Sequence, residues 1–358
     1  PALDENQLGE AWADLGALPH ASVSQDRFSL SLRTLTQPDL LEAAIALAAR
    51  QLAEPSFPEA VWQIERERWL ASWRESNTKP NVQASRAFTR AVYGSHPYGQ
   101  EVDEISLKAM DTEAMKAFHA THLRPCRAKV SIVGALTREQ ASAKAQQLLQ
   151  GLPAGVSCEL LPWVQEVQPL AQAQRIDVPF ESAQAHVFMG QPGIARLHPD
   201  FMALTVGNYV LGGGGFVSRL TEQVREKRGL SYSIYSYFAP GQHAGAFTVG
   251  LQTRPDQAAQ AVEVAQQVVS EFVAKGPTEA ELQAAKDFLI GGFALRLDSH
   301  LKLMDMLSNI AWFDLPLDYL DTWTQQVSRL TVNDILQAFA RNLQPDRMVT
   351  VVLGASKP

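Results

Sequence analysis

The sequence predicts a duplicated α+β fold, in which two copies of one unit each form an antiparallel sheet covered by helices on one face. Three observations lead to this prediction. The chain is long enough for two domains, its elements recur with a constant offset along the sequence, and both copies combine alternating strands with amphipathic helices.

The composition is that of a globular protein. The 358 residues are 46% hydrophobic and 19% charged, which argues against a disordered or fibrous chain. Acidic residues outnumber basic ones by 38 to 31, and the net charge of −7 argues against a nucleic-acid partner. No apolar run reaches the roughly 18 residues of a bilayer span. The two cysteines, Cys126 and Cys158, are too few for a disulfide scaffold.

The C-terminal part of each copy shows the repeat most clearly. A helical stretch ends before Pro125 in the first copy and before Pro345 in the second, and these two prolines define the offset of the repeat. Each proline is followed by a β-branched run that closes at a glycine, at residues 130–135 and 351–355. Because proline cannot continue a helix and β-branched runs favour strands, both copies are predicted to contain a helix followed by a buried strand.

The middle of each copy repeats with the same offset. Alternating residues predict strands at 28–32 and 247–251. Each strand is followed by a predicted helix whose apolar stripe has the same spacing, at 41–52 and 261–272. A short proline-containing break and another long helix come next in both copies.

The repeat also sets the expected domain boundaries. We expect a first copy at 1–155, a linker at 156–170 and a second copy at 171–358, which opens with strands near 173–179 and 184–191. The offset between the copies puts the start of the first copy before the first residue of this sequence. The first copy is therefore expected to be incomplete at its N-terminus.

The eight histidines form no recognisable metal motif. His119 and His122 have the spacing His-x-x-His, whereas a zinc helix of the usual hydrolytic type has i, i+4 spacing and a neighbouring Glu. They lie near a predicted helix end, where a solvated histidine is common. We therefore predict that this chain holds no metal.

Four consecutive glycines, Gly212, Gly213, Gly214 and Gly215, follow a helical stretch. They do not form a phosphate loop, because no Gly-Lys-Ser/Thr sequence follows them. Two interpretations stay open: a helix–helix turn in which backbones approach closely, and a mobile loop beside a substrate cleft.

Arg225 and Tyr232 lie on either side of a helix stop at Gly229, just before an alternating strand. A tyrosine hydroxyl and a guanidinium held close together could donate hydrogen bonds to a carbonyl oxygen as it gains negative charge. The alternative is a surface arginine and a tyrosine that packs on the sheet. The spacing alone does not decide between them.

The run from Asn208 to Ser233, with its glycines, Ser-Arg-Leu and Arg-Glu-Lys-Arg-Gly-Leu-Ser-Tyr-Ser, resembles the second half of the pitrilysin and mitochondrial processing peptidase family. The runs Tyr93–Gly99 and Phe118–Pro125 match the same family, and the resemblance covers almost the whole chain. It implies a duplicated α+β metallohydrolase fold, which agrees with the period found independently.

The resemblance implies a zinc site that this sequence lacks. Active members carry His-x-x-Glu-His in the first copy, and its two histidines bind zinc together with a Glu from a later helix. The motif occurs nowhere in the 358 residues, and its place in the family precedes Pro1. The later Glu aligns with the cation Arg74, and its neighbour Glu75 would point about 100° away on the helix. Zinc binding by this chain is therefore not expected.

The family also implies a role for the Arg/Tyr pair. An Arg and a Tyr seven positions apart reach the substrate at the zinc site, and Arg225 and Tyr232 match that spacing. In two-subunit members, one chain supplies zinc and the other supplies this pair. The resemblance therefore implies a zinc-less subunit, inactive on its own, that binds a peptide or protein substrate in a heterodimer with a zinc-bearing homologue.

Two alternatives stay open. A zinc motif upstream of Pro1 would make the full protein an active zinc endopeptidase, and a structural homologue would have no peptidase role. Bacterial pairs of this family are often periplasmic, so the periplasm is the expected compartment and the cytoplasm the alternative. Whether Cys126 and Cys158 pair cannot be derived from the sequence.

Overall fold

A computed structural model describes residues 3–153 and 161–355 of the chain. The elements up to residue 153 are α1 (Glu5–Asp14), β1 (Leu18–Val23), β2 (Phe28–Arg33), α2 (Pro38–Ala53), α3 (Glu59–Ser76), α4 (Pro80–Tyr93), α5 (Glu104–Ala109), α6 (Thr112–His122) and α7 (Arg138–Leu149). The elements after residue 161 are β3 (Gln174–Val178), β4 (Ala185–Pro192), α8 (Phe201–Asn208), β5 (Ser233–Phe238), β6 (Ala246–Thr253), α9 (Ala258–Lys275), α10 (Glu279–Gly291), α11 (His300–Trp312), α12 (Tyr319–Arg329), α13 (Val332–Asn342) and β7 (Val349–Leu353).

The chain forms two compact units that do not follow the order of the repeat. Unit 1 comprises residues 1–71, 103–163 and 296–314, and unit 2 comprises residues 72–102, 164–295 and 315–358. Helices α4 and α11 begin at equivalent positions of the two copies, yet α4 belongs to unit 2 and α11 to unit 1. Each unit therefore contains one helix that the predicted repeat assigns to the other copy. The repeat boundaries themselves stay a sequence prediction.

The sheet of unit 2 has the strand order β3-β7-β4-β6-β5. Its neighbours are antiparallel except for β3 and β7, which run parallel. The sheet is therefore mixed, and the prediction of a wholly antiparallel sheet is wrong at this edge. The strands predicted near 173–179, 184–191 and 247–251 are confirmed as β3, β4 and β6.

Helices cover both faces of this sheet. On one face, Phe247 of β6, Phe272 of α9 and Phe339 of α13 are completely buried in the main core. On the other face, Phe88 of α4 packs in a separate buried cluster with Val351 of β7. The prediction of helices on one face only is therefore wrong, because α4 covers the second face.

Unit 1 contains the hairpin of β1 and β2, with a small core formed by residues of α1 and α2. The strand predicted at 130–135 is absent from the described residues, because 130–133 have no regular structure. In unit 2 the corresponding strand, β7, lies between β3 and β4. Since a strand satisfies its backbone groups through its neighbours, segment 130–135 forms no strand where none of the described strands pairs with it.

Three further expectations concern the chain as a whole. Within 3–153 and 161–355, no helix is both long and apolar enough to cross a bilayer. The predicted linker at 156–170 lies partly outside the described residues, and 161–170 contains neither helix nor strand. Cys126 is disulfide-bonded, whereas Cys158 lies outside the described residues.

Candidate functional site

The two residues predicted to contact substrate lie against each other in unit 2. The guanidinium carbon of Arg225 lies over the ring of Tyr232, 5.1 Å from the ring centre. The same carbon lies over the ring of Phe216 at 4.7 Å, a contact that the sequence analysis missed. Tyr232 is 83% exposed, so its hydroxyl is open to a ligand. The geometry permits the predicted donor pair, and its role in catalysis stays a prediction.

A helix-to-strand turn places Arg225 and Tyr232 together. Arg225 lies in a π-helical segment, Thr221–Glu226, and its carbonyl accepts a hydrogen bond from the Gly229 N–H at 2.8 Å. Gly229 has a φ of 61°, a left-handed conformation that other residues adopt only at a cost. The chain reverses there, and Tyr232 comes back beside the helical segment it has just left.

The backbone on both sides of Tyr232 is fixed by Ser231. The Ser231 side chain is buried, and its hydroxyl lies 2.6 Å from the Gln252 carbonyl oxygen and 2.7 Å from the Ser233 carbonyl oxygen. The same hydroxyl oxygen accepts from the Ser233 N–H at 3.2 Å. Because these bonds hold the backbone, Tyr232 projects from an ordered support rather than from a loose loop.

Gly212, the first of the four glycines, packs against β5. A β-carbon on Gly212 would lie 2.7 Å from the backbone nitrogen of Ser236, which is closer than real side chains approach. Asn208, just before the glycines, donates to the Ser236 carbonyl at 2.9 Å and accepts from the Ser236 hydroxyl at 2.7 Å. Gly215 has a φ of 62°, which turns the chain. These contacts favour the interpretation of a close-packed turn for Gly212.

Gly213 and Gly214 are also too crowded for a side chain. A β-carbon on Gly213 would lie 2.8 Å from Asn208 Nδ2, and one on Gly214 would lie 2.6 Å from the Tyr209 carbonyl oxygen. Packing therefore explains three of the glycines without any ligand. A substrate role for Gly212, Gly213, Gly214 and Gly215 stays a prediction.

Arg219, in the Ser-Arg-Leu run, has a structural partner. Its guanidinium donates to both carboxylate oxygens of Glu281, at 2.7 and 2.6 Å, and to the Gly276 carbonyl at 3.0 Å. Glu281 also accepts from the Thr278 N–H at the start of α10. Burial alone would raise the pKa of Glu281, but the bonds from Arg219 and Thr278 lower it to about 2.

The variant Glu281→Gln is expected to lower the free energy of unfolding at pH 7 by about 1–2 kcal/mol, less than for a fully buried pair because both side chains are partly exposed. The folded pKa of about 2 lies below the ordinary value of 4.5, so the stabilisation is present above pH 4.5 and is lost as the pH falls toward 2. Urea denaturation at several pH values measures this.

The matched control is Glu222→Gln, which removes an exposed ion pair with Lys227. It should change the free energy of unfolding by less than about 0.5 kcal/mol. A difference between wild type and Glu281→Gln that is the same at pH 7 and pH 3 would contradict the assignment.

A second cluster, which the sequence analysis missed, joins His96, Glu166 and His243 in unit 2. One potential ligand atom of each lies within 4.8 Å of the others. However, His96 Nδ1 accepts a hydrogen bond from the Tyr98 N–H at 3.0 Å, so the neutral ring carries its hydrogen on Nε2. A metal-binding histidine normally donates from its second nitrogen. The cluster therefore fits metal binding poorly.

The contacts of this cluster instead support the turn before β6. Glu166 accepts from the Ala244 N–H at 2.8 Å, and its other oxygen lies 3.4 Å from His243 Nδ1. The hydroxyls of Tyr98 and Tyr93 accept from the N–H groups of His243 at 3.1 Å and Ala246 at 2.8 Å. The run Tyr93–Gly99, noted in the sequence only as a family match, is therefore a structural support. Spacing could not reveal it, because the bonded partners are far apart in the sequence.

Comparison with known proteins identifies the family. Residues 109–289, just over half of the chain, match the family model described as the peptidase M16 inactive domain. The chain belongs to the M16 peptidase family. This M16 chain is similar to the crystal structure of a peptidase M16 inactive domain from Pseudomonas fluorescens, with 32% identity and a TM-score of 0.94 over 99% of this chain and 85% of that one. The resemblance and the α+β fold class derived from the sequence are thereby confirmed.

Other M16 relatives have differing descriptions. A Helicobacter pylori protein named a non-peptidase homolog, YmxG, is 26% identical over 94% of this chain and 82% of its own length. A Mycobacterium leprae protein named an uncharacterized zinc protease is 27% identical over 88% of this chain and 71% of its own length. The match to the inactive-domain model makes this chain a non-catalytic type of M16 member.

Proposed function

We propose that this chain is the non-zinc-binding subunit of a two-part M16 peptidase. It binds peptide and presents Arg225 and Tyr232 to the zinc site of a homologous partner. The observation that carries the proposal is the contact of the Arg225 guanidinium with the ring of Tyr232, whose side chain is exposed on an anchored backbone.

The chemistry of the pair suits a carbonyl group under attack. The Tyr232 hydroxyl donates a hydrogen bond to the scissile carbonyl oxygen, and this bond strengthens as the oxygen becomes negative. The positive charge of Arg225 stabilises the same developing charge and orients the peptide. The partner's zinc, when bound, supplies the activated water. This chain contributes donors that are ordered before the substrate arrives.

The edge strand β5 limits how the peptide can bind. The carbonyl of Ser236, on the edge strand β5, already accepts a hydrogen bond from Asn208. Strand addition by the peptide is therefore not expected at that point of the edge. The exposed side chains of Phe216 and Tyr232 are the expected contacts instead.

The proposed compartment is the periplasm. Cys126 is disulfide-bonded, and disulfides persist in oxidising compartments such as the bacterial periplasm. This supports the periplasm over the cytoplasm as the place where the subunit works.

Reconstitution tests the proposal. A zinc-bearing M16 homologue from the same organism is mixed with this chain, and cleavage of a quenched fluorescent peptide is followed with each protein alone and with both. We expect cleavage to require both proteins, and zinc to be well below one per chain in this subunit alone.

Two other results would support the alternatives. Cleavage by the full-length form of this chain alone, with one bound zinc, would make it an active zinc endopeptidase. A partner that is equally active without this chain would make it a structural homologue, in line with the name of the non-peptidase relative.

A further inference from the structure

The position of the Phe216 side chain needs an explanation, because this large apolar ring is 71% exposed at the end of the glycine run. Its neighbour Val217 is 75% exposed. Burial does not stabilise either side chain, so their positions depend on the backbone and on local contacts. The contact observed for Phe216 is the guanidinium of Arg225, which lies over the ring at 4.7 Å.

The backbone fixes Phe216 at this position. Gly215 adopts a left-handed φ of 62°, which turns the chain out of the preceding π-helical segment. The turn is closed by Ser218, which is completely buried and whose N–H and hydroxyl donate to the Gly215 carbonyl at 3.1 and 2.7 Å. Phe216 therefore projects from a constrained turn.

An arginine side chain has many rotamers, and ordering it for a ligand costs conformational entropy. A guanidinium that lies over aromatic rings loses part of this freedom before the ligand binds, and its N–H groups stay at the edge of the plane as donors. Arg225 lies over both Phe216 and Tyr232, while Glu226 lies 3.4 Å from its Nε. The ring of Phe216 thus acts on the same group that is proposed to contact the peptide.

We infer that Phe216 is a positioning residue, which holds the Arg225 guanidinium in the orientation that binds the peptide carbonyl. This inference rests on the proposed peptide-binding function and adds a residue to it. Phe216 acts through Arg225, so its effect disappears when Arg225 is absent.

A double-mutant cycle tests the inference on the isolated chain. The probe is fluorescein-labelled β-casein, an unfolded protein, and its affinity is measured by fluorescence anisotropy. Phe216→Leu, which keeps the bulk but removes the ring, should weaken binding about two- to fivefold, as expected for an exposed cation–π contact. Phe216→Tyr should retain wild-type affinity. Phe216→Leu should have no further effect in the Arg225→Ala background.

The control is Val217→Ala, which changes an equally exposed neighbour and should leave the affinity unchanged. Thermal unfolding of every variant checks that the fold is retained. Wild-type affinity in Phe216→Leu, or an equal loss in the Arg225→Ala background, would overturn the role of Phe216 while peptide binding stands. No binding by the wild type, or no effect of Arg225→Ala, would overturn the peptide-binding role and the role of Phe216 with it.

A second measurement reports on the contact without any ligand. The Nε–H proton of an arginine that lies over an aromatic ring is shifted upfield in the NMR spectrum by the ring current. Phe216→Leu should move the Arg225 signal downfield, and Val217→Ala should not. An unchanged Arg225 signal in Phe216→Leu would overturn the positioning role even if the affinity falls.

Discussion

The variant Tyr232→Phe is expected to lower kcat of the reconstituted two-chain peptidase by about 10²- to 10³-fold, the usual effect of removing one donor to a developing oxyanion. The substitution removes only the hydroxyl and keeps the ring over which Arg225 lies. Because the hydrogen bond is stronger in the transition state than in the ground state, KM should change little. Steady-state cleavage of a quenched fluorescent peptide at saturating subunit concentration gives both constants.

Tyr237→Phe is the matched control, since Tyr237 is a partly exposed tyrosine of β5 and stacks on Tyr235 rather than on Arg225. Its kcat and KM should equal those of the wild type. A rise in KM with unchanged kcat in Tyr232→Phe would assign Tyr232 to peptide binding alone. Equal activity of Tyr232→Phe and wild type would remove the hydroxyl from the mechanism.

The sequence predicted the Arg/Tyr pair because both members lie within one short segment whose spacing matches a family pattern. Phe216 could not be predicted in the same way. Its contact with Arg225 depends on the direction in which Gly215 turns the chain, which composition does not specify. The cluster of His96 and His243 was missed for a different reason, since its members come from segments that only the folded chain brings together.

The fold shows the same division between local and non-local information. Periodicity located the strands and helices of the second copy, because their apolar stripes are buried where they form. The buried face of α4 packs on the sheet of unit 2, and the sequence did not indicate in which unit this helix would lie. Segment 130–135 has the composition of a strand, yet residues 130–133 form no regular structure. A strand forms only where a neighbouring strand pairs with it, and local composition does not specify that neighbour.

The variant Phe339→Ala is expected to lower the free energy of unfolding by about 3–5 kcal/mol, the range found when a large buried aromatic side chain is removed. Phe339 is completely buried, and its ring meets Phe272 of α9 edge-on at 4.7 Å. A β-carbon on Gly207 of α8 would lie 3.1 Å from the tip of the Phe339 ring. Helix α8 therefore rests directly on this ring, and α8 leads into Asn208 and the glycines.

Urea denaturation followed by circular dichroism measures this loss. An unchanged m value would show that the surface exposed on unfolding is the same in the variant and the wild type. The control is Phe118→Ala in α6, where the side chain is 57% exposed and the change should stay within about 1 kcal/mol. A loss below about 1 kcal/mol for Phe339→Ala would mean that the core of unit 2 collapses around the missing ring.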